Sequence, residues 1–531
     1  MQEKTNHPFT LSFLKRGLKR GIAMFLWILA LSNLATPHAL RGETSSPPKY
    51  NVLFIISDDM RAEPESFGGK AKTPNIDALA RSGVRFERGY AQYPLCCPSR
   101  SSMLTGHAPT HTGVFGNRTW VGDLHPEYTT LPRWFKDHGY ITARSGKIFH
   151  DGIDDTDAWN DGGEARWLAG IGSETNTSKK ARLAKERHPA RVTAIGLTNG
   201  VVQSAEGVPE VELRNRDTGQ NEKRSDSWIV LAGNGETDHD YRVANKTIEQ
   251  LERYQHTNFF IACGFAKPHS PPSAPQSCYD LYPLDQIQLP VNFAPRPTVP
   301  EGFPKLSIRP KNADLFIGRD ATTNAAKEVI RAYLASCSYV DQNIGRVLAE
   351  LDRLNLRTNT IVVFWGDHGY QLGERGKWSK AGSLFEQGAR VPFIIRLPDA
   401  KGNGQASARV VETLDFYPTL AQLCGLPLPE GLEGRSLAPL LQNPQAEWNH
   451  PAFTVWSENG KTLQGIGVRN ERWRYTEFED GTAMLFDEVN DPLELKNVVD
   501  EPSNQTTRRE LSVLVRNYGN FSRKEGPAKG E

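Results

Sequence analysis

Four runs of β-prone residues recur along this chain and constrain its fold more than any other feature: Asn51–Ile56, Gly139–Arg144, Phe259–Cys263 and Thr360–Trp365. Asn51–Ile56 and Thr360–Trp365 are almost continuously apolar and rich in β-branched residues, the pattern of strands covered on both faces in a parallel sheet. A fifth run, Val391–Ile395, follows. Helical spacing separates them. Pro74 opens one helix through Ile76, Leu79 and Ala80, with Gly83 to close it. Tyr241–Tyr254 and Val410–Leu423 read as helices, and Ala325–Leu354 as a long amphipathic one. Strands alternating with helices predict an α/β fold, a mostly parallel sheet flanked by helices.

The character changes twice. From residue 173 to 235 the chain is polar and weakly periodic, which predicts an elaborated surface loop region whose basic run Lys179–Arg191 is a solvated face. From Gln445 the pattern becomes short pieces: Phe453–Trp456, Trp473–Tyr475 and Met484–Phe486. These predict a smaller C-terminal subdomain, 445–525, built on an antiparallel sheet behind a main domain of 49–444. With 531 residues, 38% of them hydrophobic, there is material for both.

The N-terminus carries Lys15, Arg16, Lys19 and Arg20 before the apolar run Gly21–Leu34. That run is short for a membrane span and suits a signal peptide of residues 1–39, so the chain is expected to be exported, periplasmic or secreted, with no membrane attachment after cleavage. Export permits disulfides, and Cys263 could pair with Cys278. The formal net charge of +1 gives no field for nucleic acid. An anionic ligand must instead meet a local group of cations.

Each of the four strand candidates ends in polar residues: Asp58 and Asp59; Lys147 and His150; Lys267 and His269; Asp367 and His368. In an open parallel sheet, ligands bind beyond the carboxyl ends of the strands, which would bring all four clusters to one edge. Asp58, Asp59 and Asp367 are hard oxygen donors, a composition favouring Ca²⁺, with Mg²⁺ also possible, over zinc. One further stretch has strong local character: Tyr93-Pro-Leu-Cys-Cys-Pro-Ser-Arg-Ser-Ser-Met-Leu-Thr-Gly106. Pro98 suits the first helical position and Gly106 the left-handed residue closing a helix, which predicts a helix from Ser99 to Thr105 with Cys96 just before its electropositive end.

That stretch resembles the Cys-x-Pro-Ser-Arg signature of the type I sulfatases. The polar clusters, with Trp378-Ser379-Lys380, Leu281–Leu284 and Val391-Pro392-Phe393, are similar to the iduronate-2-sulfatase branch across most of residues 50–425. The resemblance implies an alkaline-phosphatase-like fold and hydrolysis of sulfate esters. It implies that Cys96, not Cys97, is oxidised to Cα-formylglycine by a formylglycine-generating enzyme, and that its hydrate attacks sulfur. By the same match Asp58, Asp59, Cys96, Asp367 and His368 line a metal. Cys96, Arg100, Lys147, His150, His269 and Lys380 carry the chemistry around the sulfate, with His269 as the acid at the leaving oxygen and Lys380 the alternative. Lys267 is a further substrate contact. His368 stands where many sulfatases have Asn, and both metal and sulfate remain open to it. The implied substrate is a sulfated saccharide, such as a 2-O-sulfated uronic acid. Two other readings stand beside it: a phosphodiester or phosphonate hydrolase of the same superfamily, and a catalytically dead, secreted polyanion-binding protein.

Overall fold

The computed structural model describes residues 50–164, 166, 194–198, 201–204, 210–214, 227–519 and 521, with backbone alone for residues 194–214 and 227. The expected signal peptide and the basic run Lys179–Arg191 lie outside them. Among the described residues, no helix is long and apolar enough to cross a membrane.

An eight-stranded sheet forms the centre. Its order is Arg390–Val391, Val84–Tyr90, Phe393–Arg396, Thr360–Gly366, Asn51–Asp58, Phe259–Pro268, Ile141–Gly146, with Ala406–Glu412 pairing beside Val84–Tyr90. The last four strands on that path are all parallel. Phe393–Arg396 runs antiparallel to Thr360–Gly366. Val52 to Ile56 and Ile361 to Trp365 are fully buried, and their two faces feed two separate apolar clusters. Continuous rather than alternating hydrophobicity is what such two-sided burial requires. The helix Thr323–Arg353, with Tyr333, Val340, Ile344 and Val347 buried, packs against one face. Phe416–Leu423 covers the other.

A second, four-stranded antiparallel sheet runs Ala452–Trp456, Gly465–Arg469, Trp473–Phe478, Ala483–Asp487, with the helix Gln505–Tyr518 against it. The expected layout, a mostly parallel sheet with helices and a small C-terminal antiparallel sheet, is therefore what the chain adopts.

Four local readings need correction. The 173–235 stretch contains the strands Ala194–Thr198, Val201–Ser204, Glu210–Arg214 and Ser227–Leu231, which with Ser273–Pro275 make a third sheet. Val410 to Glu412 belongs to a strand, and the helix begins at Phe416. All six cysteines are free thiols, so Cys263 and Cys278 do not pair. The signature helix spans Cys96–Thr105, starting at Cys96 rather than Ser99. Proline lacks only an N–H, and no N–H of the first helical turn has a partner inside the helix, so Pro98 fits two residues deeper than its commonest place. Gly106 closes the helix at φ 74°, as expected.

Candidate active site

The strand order places all four polar clusters at one edge. Asp58, Lys147, Lys267 and Asp367 sit at or just beyond the carboxyl ends of four adjacent parallel strands. Successive strand residues point to opposite faces, so Asp58 and Asp59 would ordinarily diverge. Asp59 escapes this by adopting φ 64°, a left-handed conformation costly for a residue with a Cβ. Tyr333 Oη holds that turn, donating to the Asp59 carbonyl at 2.7 Å while accepting from the Arg61 N–H at 3.1 Å. On the strand Ile141–Gly146, two places along the sheet, Gly146 has φ 71°, and a Cβ there would lie 2.1 Å from the Gly264 carbonyl oxygen. Only glycine lets the chain turn so closely to deliver Lys147.

The signature helix supplies Cys96 from across the edge. Its Cys97 N–H donates to Asn117 Oδ1 at 3.1 Å, and Ser99 Oγ to the Asp367 carbonyl at 2.5 Å. Cys97 itself turns toward Ser101 and the Thr119 carbonyl. Cys96 Sγ lies 3.4 Å from Asp58 Oδ1 and 3.3 Å from His368 Nε2. Burial, and next the Asp58 carboxylate, push the Cys96 thiol well above its ordinary range.

The carboxylates are held by point charges. Lys147 Nζ donates to Asp58 Oδ2, and Lys380 Nζ to Asp59 Oδ2 at 2.8 Å. Burial would raise Asp58, but Lys147 first, with Arg100 beside it, holds it well below the usual carboxylate range. Asp367 accepts from the N–H groups of Asp59 and His368, both at 3.0 Å, and from Arg100 Nε at 2.9 Å. Arg100 is fully buried and also donates Nη1 to the carbonyls of Lys147 at 2.5 Å and Ile148 at 2.9 Å. It knits three elements together, with Nη2 left 3.7 Å from Asp58 Oδ1.

Three histidines complete the edge. His368 Nδ1 donates to the Gly369 carbonyl at 2.9 Å, which makes Nε2 the lone-pair nitrogen of the neutral ring. That nitrogen faces Asp59 Oδ1 at 3.5 Å and Asp367 Oδ2 at 3.6 Å. His269 gives Nδ1 to the Ser270 carbonyl at 2.8 Å and points Nε2 toward Asp59 Oδ2 at 3.9 Å. Burial, then Lys380, lowers it to about 3. His150 lies beside Lys147; burial and that ammonium depress it strongly, and its buried Nδ1 has no hydrogen bond. Lys267 departs from the group. Its ammonium donates to the carbonyls of Pro271 at 2.7 Å and His269 at 3.2 Å, bracing the turn that presents His269.

One ligand atom from each of Asp58, Asp59, Cys96 and His368 lies within 4.8 Å of all the others, and all four residues are buried. Asp59 Oδ1 accepts no hydrogen bond. An orphaned carboxylate oxygen opposite a histidine lone pair is unfavourable for the protein alone and fits a cation between them. Sequence reading missed the supporting residues Ser99, Asn117, Tyr333 and Asp314, the last with its carboxylate 3.6 Å from Lys380 Nζ. None has a motif of its own, although Ser99 lies inside one.

The Sulfatase family model matches residues 50–426. The chain belongs to the sulfatase family. It is a sulfuric ester hydrolase by that membership. A second model, N-sulphoglucosamine sulphohydrolase, C-terminal, matches residues 373–518. Human iduronate 2-sulfatase is 30% identical over 454 residues, covering 76% of this chain and 74% of the human protein. Among solved structures, the phosphonate monoester hydrolase of Agrobacterium radiobacter superposes with a TM-score of 0.67 at 20% identity, over 90% of this chain and 97% of that one. A protein solved with its substrate D-glucosamine-2-N,6-O-disulfate superposes with a TM-score of 0.62 at 21% identity, over 88% and 97%. At these identities the two structures speak for the fold.

Proposed function

We propose that this sulfatase removes sulfate from saccharides, with a 2-O-sulfated uronic acid at a non-reducing end as the substrate. The observation carrying the reading is the convergence of Cys96, the acid cluster, Lys147 and Lys380 at one strand edge. Its similarity to iduronate 2-sulfatase supports the choice of sugar. A divalent ion, Ca²⁺ by its preference for carboxylate oxygens, would be held by Asp58, Asp59, Asp367, His368 and residue 96, and would polarise a sulfate oxygen. Cys96, oxidised to Cα-formylglycine by a formylglycine-generating enzyme, would supply the hydrated aldehyde that serves as nucleophile.

The remaining work belongs to side chains already in place. Lys147 and Lys380 neutralise the sulfate oxygens as charge builds on them. Arg100 holds Asp367 and the Lys147 backbone in register. His269 Nε2 gives a proton to the leaving sugar oxygen, with Lys380 as the alternative donor. Because burial and Lys380 keep His269 neutral at rest, the negative charge of the ester is what lets it take up that proton. His150 and Lys267 border the sugar side, Lys267 by fixing the His269 turn. Export to the periplasm or outside the cell is part of the same reading, since polymeric substrates meet the enzyme there.

A screen of defined sulfated oligosaccharides, with released sulfate measured directly, tests the assignment. Turnover of uronate 2-sulfates is expected, with aryl sulfates poor because they lack the sugar's binding energy. Release from hexosamine or galactose sulfates alone would remove the uronate and leave the sulfatase. A faster rate on an aryl phosphodiester would favour the phosphonate-hydrolase alternative.

A further inference from the structure

One carboxylate at the edge has no part in the chemistry so far. Asp314 Oδ2 is buried and accepts no hydrogen bond. Its neighbour, the Lys380 ammonium, is 3.6 Å away and already donates to Asp59 Oδ2 at 2.8 Å. The Asp314 side chain is 17% exposed, so the group borders open space rather than closed core.

Its position is fixed. The segment carrying it is laced to the Gly376–Lys380 loop from both sides. Asn312 Oδ1 accepts from the Trp378 N–H at 3.0 Å, and Asn312 Nδ2 donates to the Gly376 carbonyl at 3.2 Å. The Leu315 N–H donates to the Trp378 carbonyl at 3.3 Å, and Lys377 Nζ to the Lys311 carbonyl at 2.8 Å. Asp314 therefore stands beside Lys380 as a preset acceptor. A carboxylate repels a sulfate group, so its presence beside a sulfate-binding lysine calls for a donor that it can engage. His269 marks the side on which the sugar leaves.

We propose that Asp314 is a specificity-determining residue: its carboxylate accepts a hydrogen bond from a sugar hydroxyl on the ring carbon next to the sulfated one. This rests on the sulfatase reading and deepens it. A hydroxyl donated to a carboxylate is among the stronger neutral–ion contacts, and a buried acceptor left empty penalises substrates lacking the donor.

The test compares Asp314→Asn and Asp314→Ala with the parent enzyme, each matured and metal-loaded, on the best saccharide sulfate from the screen and on 4-nitrophenyl sulfate, which has no hydroxyl. The ratio of kcat/KM for saccharide over aryl sulfate is expected to fall by about tenfold or more in Asp314→Ala, and by less in Asp314→Asn. A ratio that stays constant, whether both rates fall together or neither falls, overturns the proposal; a parallel fall would mean that Asp314 acts only by positioning Lys380. Titration calorimetry supplies a readout independent of turnover. Asp314→Ala should weaken binding of the desulfated sugar by a similar factor and leave the affinity for inorganic sulfate the same or tighter. Unchanged affinity for the sugar overturns the proposal. Failure of the parent enzyme to release sulfate from any saccharide would strike the saccharide reading instead, leaving the sugar-binding measurement to decide on Asp314.

Discussion

Two of the buried charge clusters among the described residues are built in opposite ways. At the strand edge, Asp58 and Asp59 are each held by one lysine through Oδ2. Where the segment Glu386–Ala389 meets the C-terminal sheet, Glu386 is wrapped by Tyr90 Oη at 2.8 Å, Arg469 Nε at 2.9 Å and Arg474 Nη2 at 2.6 Å. Arg474 also faces Glu494 at 3.2 Å and Glu488 at 3.5 Å. An ammonium is a compact point charge that meets one carboxylate oxygen at a time, whereas guanidinium forks can share several acids at once. The uncovered atoms differ accordingly. Asp59 Oδ1 looks at a histidine lone pair, while Glu488 Oε1 and Glu494 Oε1 look at an arginine. In the second cluster protons limit the buried negative charge, with Glu494 raised by burial to about 7 and Glu488 to about 9. In the first, we propose, a divalent ion does it.

The largest effect that can break this contrast is at Cys96. Cys96→Ala should cut turnover by about 10⁴ or more and leave the fold intact, as loss of a nucleophile does elsewhere. Enzyme made with a competent maturation system should show a peptide lighter by about 18 Da at Cys96 and unchanged at Cys97. An active enzyme with its Cys96 thiol intact would sink the formylglycine mechanism. Next comes the ion. Asp59→Asn should lose bound metal by elemental analysis and lower kcat/KM by about 10³. Full activity after exhaustive chelation would show that the strand-edge cluster balances its charge without an ion.

The guanidinium cluster should behave the other way. Arg474→Met strips the buried acids of their shared partner and should cost about 3 kcal/mol or more of stability in denaturant unfolding, with kcat/KM per folded molecule changed by less than about threefold. A large loss of kcat/KM without loss of stability would place this cluster in the catalytic machinery and end the comparison.

Only one of the two clusters was legible in the sequence, for physical reasons. Asp58, Asp59, Lys147, His269 and Asp367 each end an apolar run, so the pattern that reveals a strand also reveals where its polar end lies. Glu386, Arg474, Glu488 and Glu494 sit in a short helix, mid-strand and in turns, where isolated charges look like solvated surface. Arg474 is nevertheless almost completely buried. The fold divides in the same way. Two-sided burial gave the central strands continuous apolar runs that could be read, with ends shifted by a residue or two except at Phe259–Pro268, which runs five residues past the expected Cys263. Glu210–Arg214 alternates charged and apolar residues, a period-two signal outweighed by the polar composition around it. Val410–Glu412 reads as helix in the sequence because its apolar residues run directly into Phe416–Leu423. Asp314 carried no signal, since its role depends on a segment folded back against the Trp378 loop.

The smallest effect concerns pH and separates proton balance from ion balance. Glu488 is buried beside Glu386 and Glu494, with Arg469 and Arg474 as its cations, and holds its proton up to about 9 in the folded protein. In the unfolded chain a glutamate loses that proton near 4.3. Between the two values the unfolded state binds fewer protons, so the stability this group contributes is complete at low pH and declines as pH rises toward 9, by at most about 1.4 kcal/mol per unit. Glu412, buried beside Asp415 and raised to about 8, adds a decline of the same sign that ends sooner. Glu488→Gln keeps the shape and removes the proton. Its stability, from denaturant melts between pH 6 and 9, should fall less steeply than the parent's, so that the variant is the more stable of the two by pH 8.5. Identical slopes would mean that the guanidinium cluster carries all its acids ionised, and that protons do not distinguish it from the strand edge.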